Sequence, residues 1–349
     1  MKDISGHTIQ TMMSMIENAR HISIVTHMKP DGDAMGSSLG LYRFLLRNVK
    51  ARITIILPSE CPRNLAFMVQ EGENSDILVH SSNDGPAFVA LMESDLIFCL
   101  DFNSFHRTEG LQQALQESQA AKILIDHHLN PDRSMFDLVF SETEISSTSE
   151  LLYYILVRTP YIDGEASRLG MACASAIYTG MTTDTNNFNN STYPSTLAMA
   201  SELIACGVDR DVIIEKVMHS YRENRMRLLG TLLKDNMVVI PEGGACIVLD
   251  KKTIQEYDIV EGDTEGFVNI PLDIANVRMS IFVKEEDGKA RVSIRSKKGT
   301  SANRCATTYF HGGGHENASG GKIIFPDDIT DISMAKDYIL GIMESFLNE

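Results

Sequence analysis

Six short apolar runs rich in Ile, Val and Leu punctuate the first 140 residues: "HISIV", "RITIIL", "DILVH", "SDLIFCLDF", "AKILIDHH" and "FDLVF". Helical patterns stand between several of them, from Ala34 to Asn48 and through "RTEGLQQALQESQ". A strand with one wet face alternates apolar and polar residues, whereas a run that is apolar throughout must be covered on both faces. Such strands joined by helices predict a doubly wound α/β domain with a mainly parallel sheet. Ligands of these sheets bind in the crevice beyond the carboxyl ends of the strands. The residues just after each run are therefore the candidates for chemistry.

From about Ser147 to Lys234 the pattern turns helical, in "STSELLYYILVR", "ASRLGMACASAIYTGMTTD", "STLAMASELIACG" and "RDVIIEKVMHSYRENRMRLLGTLLK". It then changes again. "MVVIPEGGACIVLD" sets a Pro-Glu-Gly-Gly turn between two strand-like runs, and "VRMSIFVKEEDGKARVSIRSK" carries an Asp-Gly hairpin signal. These shifts predict a catalytic domain over 1–190, a helical connector over 191–234 and a smaller α+β domain over 235–349.

The chain has 349 residues, 43% of them hydrophobic, which is enough for two cores. Its formal net charge of -16, from 47 Asp+Glu against 31 Lys+Arg, argues against a long duplex gripped through many phosphates. A short anionic ligand needs only local positive charge or metal ions. The six cysteines, Cys61, Cys99, Cys173, Cys206, Cys246 and Cys305, show no CxxC spacing. That argues against a zinc site or a disulfide framework and suits a reducing compartment. The N-terminal residues lack the apolar core of a signal peptide, and no run reaches the roughly 20 apolar residues of a membrane helix. The expectation is a cytoplasmic protein with no membrane partner.

The run ends are unusually acidic. His27, Asp31 and Asp33 follow the first, Asp101 follows "DLIFCL", and Asp126, His127 and His128 close "KILIDHH"; Asp184 ends the helical segment "AIYTGMTTD". Like charges gathered in a crevice cost several kcal/mol unless cations neutralise them. Carboxylates with imidazoles suit Mn²⁺ or Mg²⁺ better than a thiolate-seeking metal, and the number of ligands exceeds the needs of one ion. A pair of divalent ions about 3.5–4 Å apart is expected, with Mn²⁺ favoured. In "HMKPDGD", Pro30 fixes φ and Gly32 offers a bend, so the three ligands can converge. Adjacent His127 and His128 point to opposite sides, one towards metal and one towards a phosphate. A helix beginning near Gly36, Ser37 and Ser38 is expected to offer free backbone amides to an anion.

"HMKPDGDAMGSS", "LDFNSFHR", "LIDHH" and "YTGMTTDT" match, in order, the four motifs of the DHH phosphoesterase superfamily. The C-terminal "VSIRSK" and "FHGGGHENASGG" resemble its DHH-associated substrate domain. The resemblance spans nearly the whole chain. It implies that His27, Asp31 and Asp101 hold one ion, that Asp33, Asp101, His127 and Asp184 hold the other, and that Asp101 bridges them. It further implies that His128 contacts the scissile phosphate, that Asp126 orients His127, and that a water between the ions attacks.

In the second domain Arg291, Arg295, Lys297, Lys298 and Arg304 form a local basic cluster. Arg295 matches the family's substrate arginine. Gly313 and Gly314, within the glycines at 312–314, allow close approach of backbone to a phosphate, and His315, with Asn317 and Ser319 nearby, resembles the family's nucleotide-phosphate loop. His311 and Glu316 depart from the family pattern at this loop. The branch most resembled degrades very short RNA and dephosphorylates 3′-phosphoadenosine 5′-phosphate, which implies short single-stranded RNA or a small nucleotide as partner. A homodimer is compatible with it. The competing readings are a cyclic or linear dinucleotide phosphodiesterase, a manganese inorganic pyrophosphatase, a long-chain exonuclease and a nucleotide sensor without chemistry.

Overall fold

Burial follows the apolar runs. In the computed structural model, which describes residues 4–81, 85–260 and 262–349, every residue of β1 (His21–Val25) and β4 (Leu96–Leu100) is buried. They lie side by side at the centre of a six-stranded parallel sheet with β2 (Arg52–Leu57), β3 (Ile77–Val79), β5 (Ala121–Asp126) and β6 (Leu138–Ser141). The order β3-β2-β1-β4-β5-β6 reverses direction between β1 and β4, which makes their carboxyl ends the mouth of a crevice.

Side chains leave each strand alternately. Ile22, Ile24, Phe98 and Ile125 enter one core, while Val25, Ile97, Cys99 and Leu124 enter a second on the opposite face. The first core is covered by α1 (Gly6–Asn18) and α2 (Gly32–Asn48), the second by α3 (Pro86–Met92) and α4 (Gln112–Glu117). The first also takes α5 (Thr148–Leu156), α6 (Met171–Asp184), α7 (Pro194–Ala205) and α8 (Arg210–Met218). Fully burying each Ile, Leu or Phe contributes about 1.5–3 kcal/mol, so a sheet covered on both faces is what these runs can stabilise. The doubly wound α/β expectation holds. The stretch "RTEGLQQALQESQ" is less regular than its periodicity suggests, because Glu109 has φ 45° and separates a 3₁₀ turn from α4.

The chain divides into two compact units, one ending at Ser220 and the other beginning at Tyr221. Residues expected as a connector are shared between them. Met199, Leu203 and Ile213 from α7 and α8 belong to the first unit's core, whereas Leu228 of α9 (Glu223–Thr231) packs in the second.

The second unit has its own mixed sheet in the order β11-β12-β10-β9-β8-β7. Its strands are β7 (Val238–Val239), β8 (Gly244–Leu249), β9 (Met279–Glu286), β10 (Lys289–Ser296), β11 (Gly313–Gly314) and β12 (Ala318–Ile324), and only β8 and β9 run parallel. Short α10 (Lys251–Glu256) follows β8. One face packs on α11 (Ala302–Tyr309) and α12 (Ala335–Asn348), through Cys305, Ala306, Ile339 and Met343. Among the described residues, no helix is long and apolar enough to cross a membrane.

Candidate metal centre

Asp31 does two things. It caps α2, its Oδ1 accepting from the backbone N–H groups of Asp33 and Ala34 at 3.0 Å each, and its Oδ2 lies 3.8 Å from His27 Nε2. The reversal between His27 and Asp31 comes from Lys29, at φ 55°, and not from a bend at Gly32. Gly32 is the first residue of α2, and its lack of a side chain serves packing, since a Cβ there would lie 2.3 Å from Thr183 Oγ1. The helix also begins at Gly32, two residues before the helical pattern that starts at Ala34. Gly36, Ser37 and Ser38 therefore lie inside it, buried, and offer no free amides to an anion.

Asp101, one residue beyond β4, takes the left-handed conformation at φ 66°. Strain at a carboxylate is a mark of a functional position, because a few kcal/mol are tolerated only where the surroundings fix the residue. Its two oxygens face different imidazoles. Oδ2 lies 3.5 Å from His27 Nε2 and Oδ1 lies 3.7 Å from His127 Nε2; His127 Nε2 is also 3.5 Å from Asp184 Oδ2. These gaps exceed a hydrogen bond, and they suit donors ranged around a common ion with bonds of about 2.0–2.2 Å.

Two groups of three ligand atoms, His27 with Asp31 and Asp101, and Asp33 with Asp101 and His127, each lie within 4.8 Å of one another. Asp101 is common to both. Asp33 is 1% exposed and Asp101 2%, and neither pairs with a lysine or arginine among the described residues. Burial, then the charges of Asp101 and Asp184, push the Asp33 carboxyl well above the usual carboxylate range. For His27, burial alone would lower the pKa, but Asp101 and Asp31 raise it to about 10. His27 Nδ1 lies 3.0 Å from the Met28 carbonyl oxygen, so donation there leaves Nε2 with a lone pair for a metal. The donor set fits divalent ions of the Mn²⁺ or Mg²⁺ class.

Asp126 was expected to orient His127, but its Oδ1 accepts from Nδ1 of His128 at 2.7 Å. Residues two apart on an extended strand share a side, which makes His128 the natural partner. Burial opposes charge on His128, and Asp126 outweighs it and raises the pKa. The other oxygen of Asp126, in a residue that is 0% exposed, has no hydrogen-bond partner among the described residues.

Sequence reading missed Thr148 and Ser149. Their backbone N–H groups donate to Asp33 Oδ2 and Oδ1 at 2.7 and 2.9 Å, and the Thr148 hydroxyl donates to Asp101 Oδ1 at 2.9 Å. The signal available was the Ser/Thr run before a helix, which marks an N-cap but not its target. α2 and α6 bring Asp31, Asp33 and Asp184 together by close contact. A Cβ on Gly36 would fall 2.6 Å from Gly180 Cα and 2.7 Å from the Ala176 carbonyl oxygen.

In the second unit the basic cluster disperses. Lys297 donates to the Ile274 carbonyl at 3.0 Å, and Arg304 pairs with Glu349 at 2.9 Å. Asn317 donates to Ser296 Oγ at 3.0 Å and to the Lys297 and Thr300 carbonyls; Ser319, 4% exposed, donates to the His315 carbonyl at 2.8 Å. Asn317 and Ser319 hold the loop. Arg291 and Arg295 share the outer face of β10, and Arg291 stands in register with Lys284 on β9 and Lys322 on β12. Arg295 Nη1 donates to its neighbour's carbonyl at 2.9 Å. Gly313 and Gly314 pair with Gly320 and Ser319, and His315 and Ala318 close the turn between β11 and β12. Lys298 is exposed, and Glu316 accepts from Ser301 Oγ at 2.8 Å.

Comparison with known proteins agrees with this geometry. Residues 21–181 match the model of the DHH family N-terminal domain, and residues 247–340 match the DHHA1 domain. The bifunctional oligoribonuclease and PAP phosphatase NrnA of Thermus thermophilus is 31% identical over 300 residues, covering 86% of this chain and 83% of that one. The probable enzyme of the same name from Streptococcus mutans is 29% identical, with 89% and 92% covered. The crystal structure of an exopolyphosphatase-related protein from Bacteroides fragilis superposes with a TM-score of 0.89 at 38% identity, covering both chains completely. The carboxylates and imidazoles gathered at the strand ends are thus those of a chain that belongs to the DHH phosphoesterase family, with a DHHA1 domain after its catalytic one.

Proposed function

We propose that the protein is a two-metal phosphoesterase that hydrolyses short oligoribonucleotides to mononucleotides and removes a phosphate from 3′-phosphoadenosine 5′-phosphate. The observation that carries this reading is Asp101, whose two oxygens face two separate ligand groups. His27, Asp31 and Asp101 would hold one ion, and Asp33, Asp101, His127 and Asp184 the other, with Mn²⁺ favoured by the donor set. Held by these residues, such ions would neutralise the cluster and would supply a water of lowered pKa and charge stabilisation for the phosphate oxygens.

The chain's own side chains do the rest. His128, held at Nδ1 by Asp126, presents its ring to the scissile phosphate as a hydrogen-bond and proton donor. Arg295, with Arg291 and Lys322 on the same face of the second unit, supplies positive charge for a further phosphate. Asn317, which donates to the Lys297 carbonyl, and Ser319 keep Gly313, Gly314 and His315 in place. The relatives named for oligoribonuclease and PAP phosphatase activity, aligned over most of their length, support this substrate class. A net charge of -16 restricts nucleic acid to fragments that a local cationic face can hold.

The test is a panel of a diribonucleotide, a pentaribonucleotide, 3′-phosphoadenosine 5′-phosphate, cyclic di-AMP and pyrophosphate at equal Mn²⁺. Turnover of the first three is expected. Preference for cyclic di-AMP or pyrophosphate, or binding without turnover, contradicts the reading.

A further inference from the structure

The start of α5, with the two residues before it, is densely hydrogen-bonded. Ser146, Ser147, Thr148 and Ser149 are all fully buried, and so is Glu150. Glu150 Oε2 accepts from the Ser146 backbone N–H at 3.1 Å, from the Ser146 hydroxyl and from Thr196 Oγ1 at 2.7 Å; the Ser147 hydroxyl caps Glu150 N at 3.0 Å. The Ser146 and Ser147 hydroxyls are thus bonded to Glu150 within this frame. That of Thr148 is spent on Asp101 Oδ1, the oxygen that faces His127.

We propose that Thr148 is the positioning residue that holds Asp101 in its bridging orientation, and so sets the affinity of the second ion. The proposal rests on the two-metal reading above. A carboxylate turns readily about its last torsion, and Asp101 must present one oxygen to each group of ligands. His27 lies on the Oδ2 side, while the hydroxyl of Thr148 fixes Oδ1 with a bond to a charged acceptor. Without it Oδ1 is free to swing away from His127 and Asp33. The two oxygens turn together, but the group of His27, Asp31 and Asp101 keeps its capped Asp31 and its oriented imidazole, and the group faced by the oxygen that lost its bond takes the larger loss. Partners that orient metal ligands are typically worth about 10- to 100-fold in affinity.

The experiment is equilibrium Mn²⁺ titration of the metal-free full chain, followed by calorimetry and by the electron paramagnetic resonance of bound Mn²⁺. Wild type is compared with Thr148→Val, Thr148→Ala and Thr148→Ser. Wild type should bind two ions and give the exchange-coupled spectrum of a pair. Thr148→Val should bind one ion normally and the second at least about 10-fold more weakly, with a six-line mononuclear spectrum at one equivalent per site. Thr148→Ser should restore the coupled spectrum, which a merely structural role of the methyl group would not do. Metal-free melting temperatures check the fold, and Thr148→Ala carries the comparison if the valine variant does not fold. Two undisturbed sites in the folded valine or alanine variant overturn the proposal. Failure of wild type itself to bind two ions overturns the two-metal reading instead.

Discussion

Gly36→Ala tests how the two helices that place three of the six proposed ligands, Asp31, Asp33 and Asp184, are held together. The added Cβ would stand 2.6 Å from Gly180 Cα and 2.7 Å from the Ala176 carbonyl oxygen, all of it backbone that cannot rotate aside. Ordinary carbon contacts need about 3.5–4.0 Å, so α2 and α6 must part by roughly 1 Å. Overpacking of this kind costs about 1–3 kcal/mol, and in a unit of this size each kcal/mol lowers the melting temperature by about 2–4 °C. Helix propensity works the other way, since alanine in place of a helical glycine contributes about 1 kcal/mol. The net expectation is destabilisation of up to about 2 kcal/mol. Activity should fall further than stability, because Asp33 rides on α2 and Asp184 ends α6, and a displacement of ~1 Å can cost ~10²-fold. Gly341→Ala in α12 is the control. A Cβ there meets nothing within 4 Å, so that variant should melt slightly higher with unchanged turnover. Thermal melts and Mn²⁺-dependent phosphate release check both. If Gly36→Ala matches Gly341→Ala in melting temperature and rate, close contact of α2 with α6 does not position the ligands.

Three further outcomes follow from the same geometry. Asp101→Asn should lower phosphate release by roughly 10³-fold or more, the loss that several kcal/mol of charge stabilisation converts to, while circular dichroism stays native. Arg295→Met should raise KM for nucleotide substrates by about 10- to 100-fold with little change in kcat or Mn²⁺ affinity, as loss of a charged hydrogen bond of about 1.5–3 kcal/mol implies. Glu73, whose burial alone would raise its pKa, is held below its ordinary value by Arg43 at 2.7 Å and by the Gln70 N–H. Its unfolded form therefore binds the proton first as pH falls. The stabilisation is complete above about 4.5 and is lost through the depressed folded value. Glu73→Gln should cost about 3–5 kcal/mol at neutral pH and flatten the acid limb of denaturant-derived stability.

The sheet was legible because its strands are apolar on both faces, and the strand ends were legible because carboxylates and imidazoles crowd there with little basic charge among them. His27, Asp101 and His127, each read as a residue at the end of an apolar run, lie close together at the strand ends. What the sequence hides is whatever depends on a partner far along the chain. Thr148 serves Asp101 and Asp33 across more than a hundred residues in the latter case, and Gly36 is required by Gly180, so neither target is marked locally. Local grounds place the bend among His27, Asp31 and Asp33 at Gly32, yet the left-handed residue is Lys29 and Gly32 is kept for packing against Thr183. The basic residues near β10 looked alike in sequence. The fold spends Lys297 and Arg304 on carbonyl and carboxylate partners and leaves Arg291 beside Lys322.

Anomalous diffraction from crystals grown with Mn²⁺, recorded at the manganese edge, tests the central claim most directly. Two peaks are expected, one among His27, Asp31 and Asp101 and one among Asp33, Asp101, His127 and Asp184, with a separate oxygen of Asp101 on each. A single peak, or none with Asp101 turned away from both imidazoles, would contradict it.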